Sequence, residues 1–140
     1  MAKIYIAGPL FTEAQRWLLE RIDAVCREQG FETYLPHRDA GLFDREGDSR
    51  PFFEQDLAQL RAADLVVAVL NGADVDSGTA WEMGYFYAQG RGPIVGYLND
   101  SRLPRPQAQM NPMVVGSIYT LVDNLDTLGQ VLAVLKQQNG

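Results

Sequence analysis

Histidine and cysteine, which serve much of nucleophilic and metal chemistry, occur once each in this chain, as His37 and Cys26. One cysteine excludes an internal disulfide and cannot build a cysteine-rich metal site. One histidine, in a polar loop, leaves imidazole-based zinc sites and a Ser-His-Asp arrangement with little to work with. Cys26 falls on the apolar face of a predicted helix and reads as a core residue. Positive charge is also short: 12 Lys and Arg stand against 18 Asp and Glu, a net charge of -6, with no basic run. Nucleic acid is therefore not an expected partner, since a polyanion is held by clustered cations. No apolar run approaches the roughly 20 residues that span a bilayer. The N-terminal MAKIYIAG passes straight into a strand without a signal-peptide pattern. The expectation is a soluble cytoplasmic protein with no membrane partner, a single domain over residues 1–140.

What is present is an alternation of strands and helices. KIYIA (residues 3 to 7) is a short β-rich run ended by Gly8-Pro9. Thr12 and Gln15 fit a capping box. Trp17, Leu18, Ile22, Val25 and Cys26 follow at helical spacing, and Gly30 fits a C-terminal stop. Residues 31 to 35 form a second strand. Residues 36 to 49 are a polar loop long enough to suggest a lid or binding loop. A second helix from about Ser49 carries Phe53, Leu57 and Leu60 on one stripe. LVVAVL (65 to 70) is continuously apolar, as central parallel strands covered on both faces are. A third helix ends at Gly90, and PIVGYL (93 to 98) is a fourth strand. Residues 99 to 117 read as irregular, with Pro104, Pro106 and Pro112. SIYTLV is a fifth strand, and a last helix runs from about Asn124 to Gln137. This order predicts βαβ units and an α/β three-layer sandwich, flavodoxin-like or Rossmann-like, around a five-stranded parallel sheet. Ligands of such sheets bind beyond the carboxyl ends of the strands, which points to Gly8 to Phe11, the 36 to 49 loop and residues 71 to 82.

Nucleotide-cofactor chemistry lacks its sequence. AGPLFTEA after the first strand has one glycine and a proline where a G-x-G-x-x-G turn needs free amides, and no Walker lysine is present. Carboxylates remain. Across residues 77 to 90, SGTAWEMGYFYAQG, Glu82 is the one charged side chain. At 100° per residue Ala80, Met83, Gly84, Tyr87 and Ala88 share one side of this helix, and Glu82, Tyr85, Phe86 and Gln89 the other. Gly78 leaves space over Glu82, and Gly84 permits close backbone packing. Asp76 precedes the helix, where a carboxylate meets free amides. Asp56 falls about 60° from Phe53, at the margin of an apolar stripe. Tyr5 lies inside the first strand, where a buried phenol needs a partner that a carboxylate could supply. Each has a structural alternative: a helix cap for Asp76, an ion pair for Glu82, a solvated edge for Asp56, core packing for Tyr5. Three carboxylates and a phenol, without metal or cofactor, suit bond cleavage at an anomeric carbon. There a carboxylate can stabilise or trap an oxocarbenium-like centre while a second acid assists the leaving group. Composition and spacing reach carboxylate-based transfer or hydrolysis and stop there.

Four motifs extend the reading. KIYIAGPLF, then D-x7-D-LVVAVL from Asp56, then DSGTAWEMGY, then Asn111-Pro112-Met113, resemble the nucleoside 2-deoxyribosyltransferase family over residues 3 to 113. The resemblance implies a retaining double displacement. Glu82 would attack C1′ of a 2′-deoxynucleoside to form a 2-deoxyribosyl ester, and a second free base would displace it. Asp76 matches the acid that contacts and helps protonate the base, Asp56 the other base-binding carboxylate, and Tyr5 the phenol that orients the nucleophile. Gly8 and Phe11 fall in the substrate-binding first loop. Asn111 and Met113 match residues reaching into a neighbouring subunit's site, in a dimer-based tetramer or hexamer with shared active sites. The outward aromatics Tyr85 and Phe86 hint at such a contact. A related group on the same fold hydrolyses deoxynucleoside 5′-monophosphates, and Arg38, Arg45 and Ser117 are the groups that could hold a phosphate. A non-catalytic nucleotide-binding domain is the third reading. Base preference is assigned to the 36 to 49 loop, and Asn71, just after the third strand, has no assigned role.

Overall fold

The computed structural model describes residues 2–44, 46–103 and 110–139. Its strands are β1 (Lys3–Ala7), β2 (Glu32–Tyr34), β3 (Leu65–Val69), β4 (Ile94–Tyr97) and β5 (Thr120–Val122). They form one sheet in the order β2-β1-β3-β4-β5, and every pairing is parallel. This is the flavodoxin-like order, with its switch point between β1 and β3. The helices are α1 (Glu13–Glu28), α2 (Pro36–Asp39), α3 (Arg50–Ala62), α4 (Ser77–Gln89), α5 (Pro112–Ser117) and α6 (Leu125–Asn139).

Strand alternation divides the interior into two cores. Ile4, Ile6, Val67, Val69 and Val95 meet Leu19, Ile22 and Cys26 of α1 and Leu128, Leu132 and Leu135 of α6. Tyr5, Ala7, Val66, Ala68 and Ile94 face the other way, onto Leu60 of α3 and Met83 and Phe86 of α4. The central strands β3 and β4 are buried on both faces, so their sequences read as apolar runs, whereas the edge strands β2 and β5 are partly open; the result is a three-layer α/β sandwich. The helix ends follow their local chemistry. Thr12 and Gln15 close the capping box on α1, and Gly90 ends α4 at φ 65°, a backbone state costly to residues with a Cβ.

Several sequence expectations are corrected. Trp17 is 61% exposed, because it sits about 140° around α1 from Ile22 and Leu19 occupies the inward position. The 36 to 49 segment is not all loop, since it opens with α2, and residues 99 to 117 are not irregular throughout, since Asn111 caps α5. Pro104 and Pro106 lie outside the described residues. On α4 the buried stripe is Thr79, Met83 and Phe86. The division drawn from the sequence therefore cuts in the wrong place: Phe86 is 0% exposed and belongs to the core, whereas Tyr87 is 61% exposed. Gly84 is exposed, and a Cβ there would meet nothing within 4 Å, so it mediates no close packing within the subunit. No helix among the described residues is long and apolar enough to cross a membrane.

Candidate active site

Tyr5 and Tyr34 are register partners on neighbouring strands, so their side chains leave the sheet on the same face, toward α3 and α4. Their rings stack with centroids 5.4 Å apart and planes 28° from parallel. The Tyr5 hydroxyl donates to Oε2 of Glu82. The Tyr34 hydroxyl donates to Oδ1 of Asp56 at 2.7 Å. Glu82 reaches Tyr5 because it lies within the buried stripe of α4, about 60° from Thr79. Asp56 comes from the facing side of α3.

Between α3 and α4 lies a hollow of about 480 Å³, lined by Phe53, Asp56, Leu57 and Leu60 from one helix and Ser77, Gly78, Trp81 and Glu82 from the other. Phe53 meets Trp81 edge-on at 5.9 Å, and Trp81 stacks on Tyr85 at 5.5 Å. The walls are thus largely aromatic and aliphatic, with two carboxylates set into them.

Burial drives the electrostatics. It pushes Glu82 up to about 8, the Tyr5 hydroxyl opposes that, and the charges of Asp56 and Asp76 reinforce it. Asp56 is raised by the same loss of solvent, against the hydrogen bond from Tyr34. Tyr5 is pushed far above the usual phenol range by burial and then by Glu82, so it remains a donor. Among the described residues no lysine or arginine forms an ion pair with Glu82 or Asp56. A carboxylate so placed lacks a neutralising partner and can serve an incoming positive centre.

Asp76 is the N-cap of α4. Its Oδ2 accepts from the Thr79 amide and from the Thr79 hydroxyl, both at 3.1 Å, so the capping reading describes a contact it makes. A Cβ on Gly78 would stand 3.4 Å from that same oxygen. Gly78 keeps the rim of the hollow open there.

The remaining candidates lie elsewhere. Gly8 is pressed into the α1 core, where a Cβ would stand 2.8 Å from Leu19 and 3.0 Å from Val69. Phe11 is exposed and lines another hollow with Leu10, Arg16, Leu42, Phe43 and Asp44. Asn111 accepts from the Met113 amide at 2.9 Å, and Met113 is 82% exposed. None of these four lines the hollow that holds Glu82. Asn71 accepts from the Asn99 amide at 2.8 Å and so ties the ends of β3 and β4. Arg38 is held by Asp23 at 2.9 Å and Asp39 at 2.8 Å, and the Ser117 hydroxyl donates to the Val114 carbonyl at 2.8 Å. Arg45 lies outside the described residues. His37 belongs to α2 rather than to an open loop and is half-buried, with both ring nitrogens out of solvent and neither hydrogen-bonded. Trp81 and Tyr34 were missed by sequence reasoning. Trp81 has no role in that reading beyond its place within DSGTAWEMGY, and Tyr34 becomes visible only once β2 is known to pair with β1.

Among the described residues no cluster of three His, Cys, Asp or Glu side chains could hold a metal ion. Fold and hollow together define an α/β protein equipped for chemistry with carboxylates. The family profile "Nucleoside 2-deoxyribosyltransferase" matches residues 4–124. The chain belongs to that family, and the family is one of enzymes. A conserved protein from Enterococcus faecalis V583 superposes with a TM-score of 0.81 at 30% identity, covering 99% of each chain. A 2-deoxyribosyltransferase from Bacillus psychrosaccharolyticus gives 0.76 at 24% identity, over 94% of this chain and 96% of that one. A CMP N-glycosidase, BcmB, from Clostridium botulinum gives 0.60 at 18% identity, over 95% and 98%. The last two share the fold. No curated protein sequence matches the chain.

Proposed function

We propose that this protein transfers the 2-deoxyribosyl group of a 2′-deoxynucleoside from one base to another through a covalent ester on Glu82. The observation that carries this reading is an unpaired carboxylate in an apolar hollow, held by the phenol of Tyr5. An Oε of Glu82 attacks C1′ as the N-glycosidic bond breaks, and the bonding pair leaves with the base. Asp76, beside the hollow, helps protonate that base, and Asp56 binds it. In the second half-reaction a ring nitrogen of another base attacks C1′ and gives its N–H proton back to Asp76, the ester C–O bond breaks with its pair returning to the carboxylate, and Glu82 is regenerated. Two inversions give overall retention.

The chemistry needs Glu82 ionised, while burial favours its neutral form. Tyr5 donates to the anion and so holds part of the population ready. Positive charge developing at C1′ then stabilises the carboxylate in the transition state more than in the ground state, which is what lowers a barrier. The aromatic corner of Phe53 and Trp81 offers a planar base an apolar face.

Hydrolysis of deoxynucleoside monophosphates is the alternative within the same fold. Two groups proposed for the phosphate, Arg38 and Ser117, are engaged by Asp23, Asp39 and Val114, which favours transfer from a nucleoside with a free 5′-hydroxyl. The test is to mix a deoxynucleoside with a second free base. Base exchange is expected, and Glu82→Ala should lower it by about three orders of magnitude, because the other carboxylate lining the hollow, Asp56, is held by Tyr34 and assigned to the base. Release of free sugar alone, from monophosphates alone, would replace transfer by hydrolysis. Near-parental exchange by Glu82→Ala would remove Glu82 from the mechanism.

A further inference from the structure

Glu82 is one of two carboxylates in the hollow that are held by a phenol. Tyr34 is almost fully buried, and its hydroxyl reaches Oδ1 of Asp56 from β2 just as Tyr5 reaches Glu82 from β1. The two rings are stacked and the two strands are in register at these positions. The sheet therefore presents a pair of phenols, side by side, to a pair of carboxylates on the two helices above. Sequence placed Asp56 on the margin of a stripe and gave Tyr34 no role beyond its strand.

A lone carboxylate in a hollow could turn freely or take up a proton. Donation from Tyr34 fixes one oxygen and favours the charged form, which burial opposes. The ionisable groups nearby are Tyr5 from β1, Glu82 from α4 and Asp39 beside Tyr34. Asp39 is itself paired with Arg38 at 2.8 Å, and the contact that favours the Asp56 anion is the hydrogen bond from Tyr34. An anionic carboxylate accepts hydrogen bonds and donates none.

We infer that Tyr34 is a positioning residue for Asp56, committing Oδ1 and leaving the other oxygen as an acceptor for an N–H donor on the base. This rests on the reading of Asp56 as a base-binding group and adds a selection to it. The site prefers bases that carry an exocyclic amino group to bases that carry none.

The test uses Tyr34→Phe, which keeps the ring stacked on Tyr5 and removes the hydroxyl. Exchange is measured with adenine and with unsubstituted purine as acceptors. The KM for adenine should rise about tenfold, with kcat held within about threefold, as one well-placed hydrogen bond is worth. The KM for purine should stay put. Equal changes for both acceptors, or none, would overturn the inference. Adding Tyr34→Phe to Asp56→Asn should change nothing further, whereas a role in packing alone would add its own loss. Titration of the Asp56 carboxyl by carbon NMR needs no turnover. Its midpoint should be higher in Tyr34→Phe than in the parent, and an unmoved midpoint overturns the positioning role whatever the activity. A raised midpoint in a protein that exchanges no bases would uphold the Tyr34–Asp56 pairing and overturn the transfer reading together with base selection.

Discussion

Glu82 is an acid that the fold holds in the wrong state for stability and the right place for chemistry. An exposed glutamate loses its proton near pH 4.3, whereas burial holds Glu82 up to about 8. Between those values the folded protein binds the proton more tightly than the unfolded chain does. The stability gained from it is complete below the unfolded value and is lost as pH rises through the folded one. Glutamine at this position carries no titrating proton and keeps an oxygen able to accept from Tyr5. Glu82→Gln should therefore match the parent at pH 4.5 and exceed its unfolding free energy at pH 8 by roughly 1–3 kcal/mol. Denaturant unfolding at the two pH values checks it. A difference that is the same at both would mean that ionisation of Glu82 carries no stability cost. The neighbouring acids point the same way, since Asp56 and Asp76 add their charge to the burial of Glu82 rather than relieving it.

Element by element, what the sequence disclosed depended on whether pattern or register carried the information. β3 was legible because Leu65, Val66, Val67, Ala68 and Val69 are all apolar and all buried, and the capping box of α1 was legible because Thr12 and Gln15 are local to each other. α4 was legible as a helix but not in its orientation. Tyr85, Phe86 and Tyr87 are all aromatic, so hydropathy fits more than one buried stripe, and packing against the sheet chose Thr79, Met83 and Phe86. Tyr5, Asp56 and Glu82 could each be nominated from sequence, yet their convergence on one hollow depends on three elements far apart in the chain. The pairing of Tyr34 with Asp56 was illegible for the same reason. The corrected orientation of α4 predicts two substitutions of opposite sign. Phe86→Ala empties a core position and should cost about 3–5 kcal/mol. Gly84→Ala adds a Cβ to open space in a helix interior and should stabilise the folded subunit by about 0.5–1 kcal/mol. Thermal or urea unfolding of both variants decides between this orientation and the reverse one, in which Gly84 would be buried.

At the scale of the whole molecule, one subunit gathers some of the candidate residues at a single hollow and leaves others outside it. Tyr5, Asp56 and Glu82 converge within one chain, but Asn111 and Met113 do not line the hollow. Met113 instead projects from the first turn of α5 into solvent. Trp81, Tyr87 and Tyr119 are exposed as well. If Asn111 serves a neighbour's site, a defect in Asn111 on one subunit and a defect in Glu82 on the other fall in the same site of a mixed dimer and leave the second site intact. Asn111→Ser keeps a capping oxygen for its own α5 while withdrawing the amide from the partner. Glu82→Ala removes the nucleophile. Each variant alone should be nearly inactive. Dissociated, mixed in equal amounts and reassembled, they should regain up to about a quarter of parental activity, since half the dimers are mixed and each of those carries one intact site. Recovery should disappear when subunits are cross-linked before mixing. Activity no greater than the average of the two separate variants would confine every catalytic and binding group to a single chain, and Met113 would then be an exposed side chain without a role in transfer.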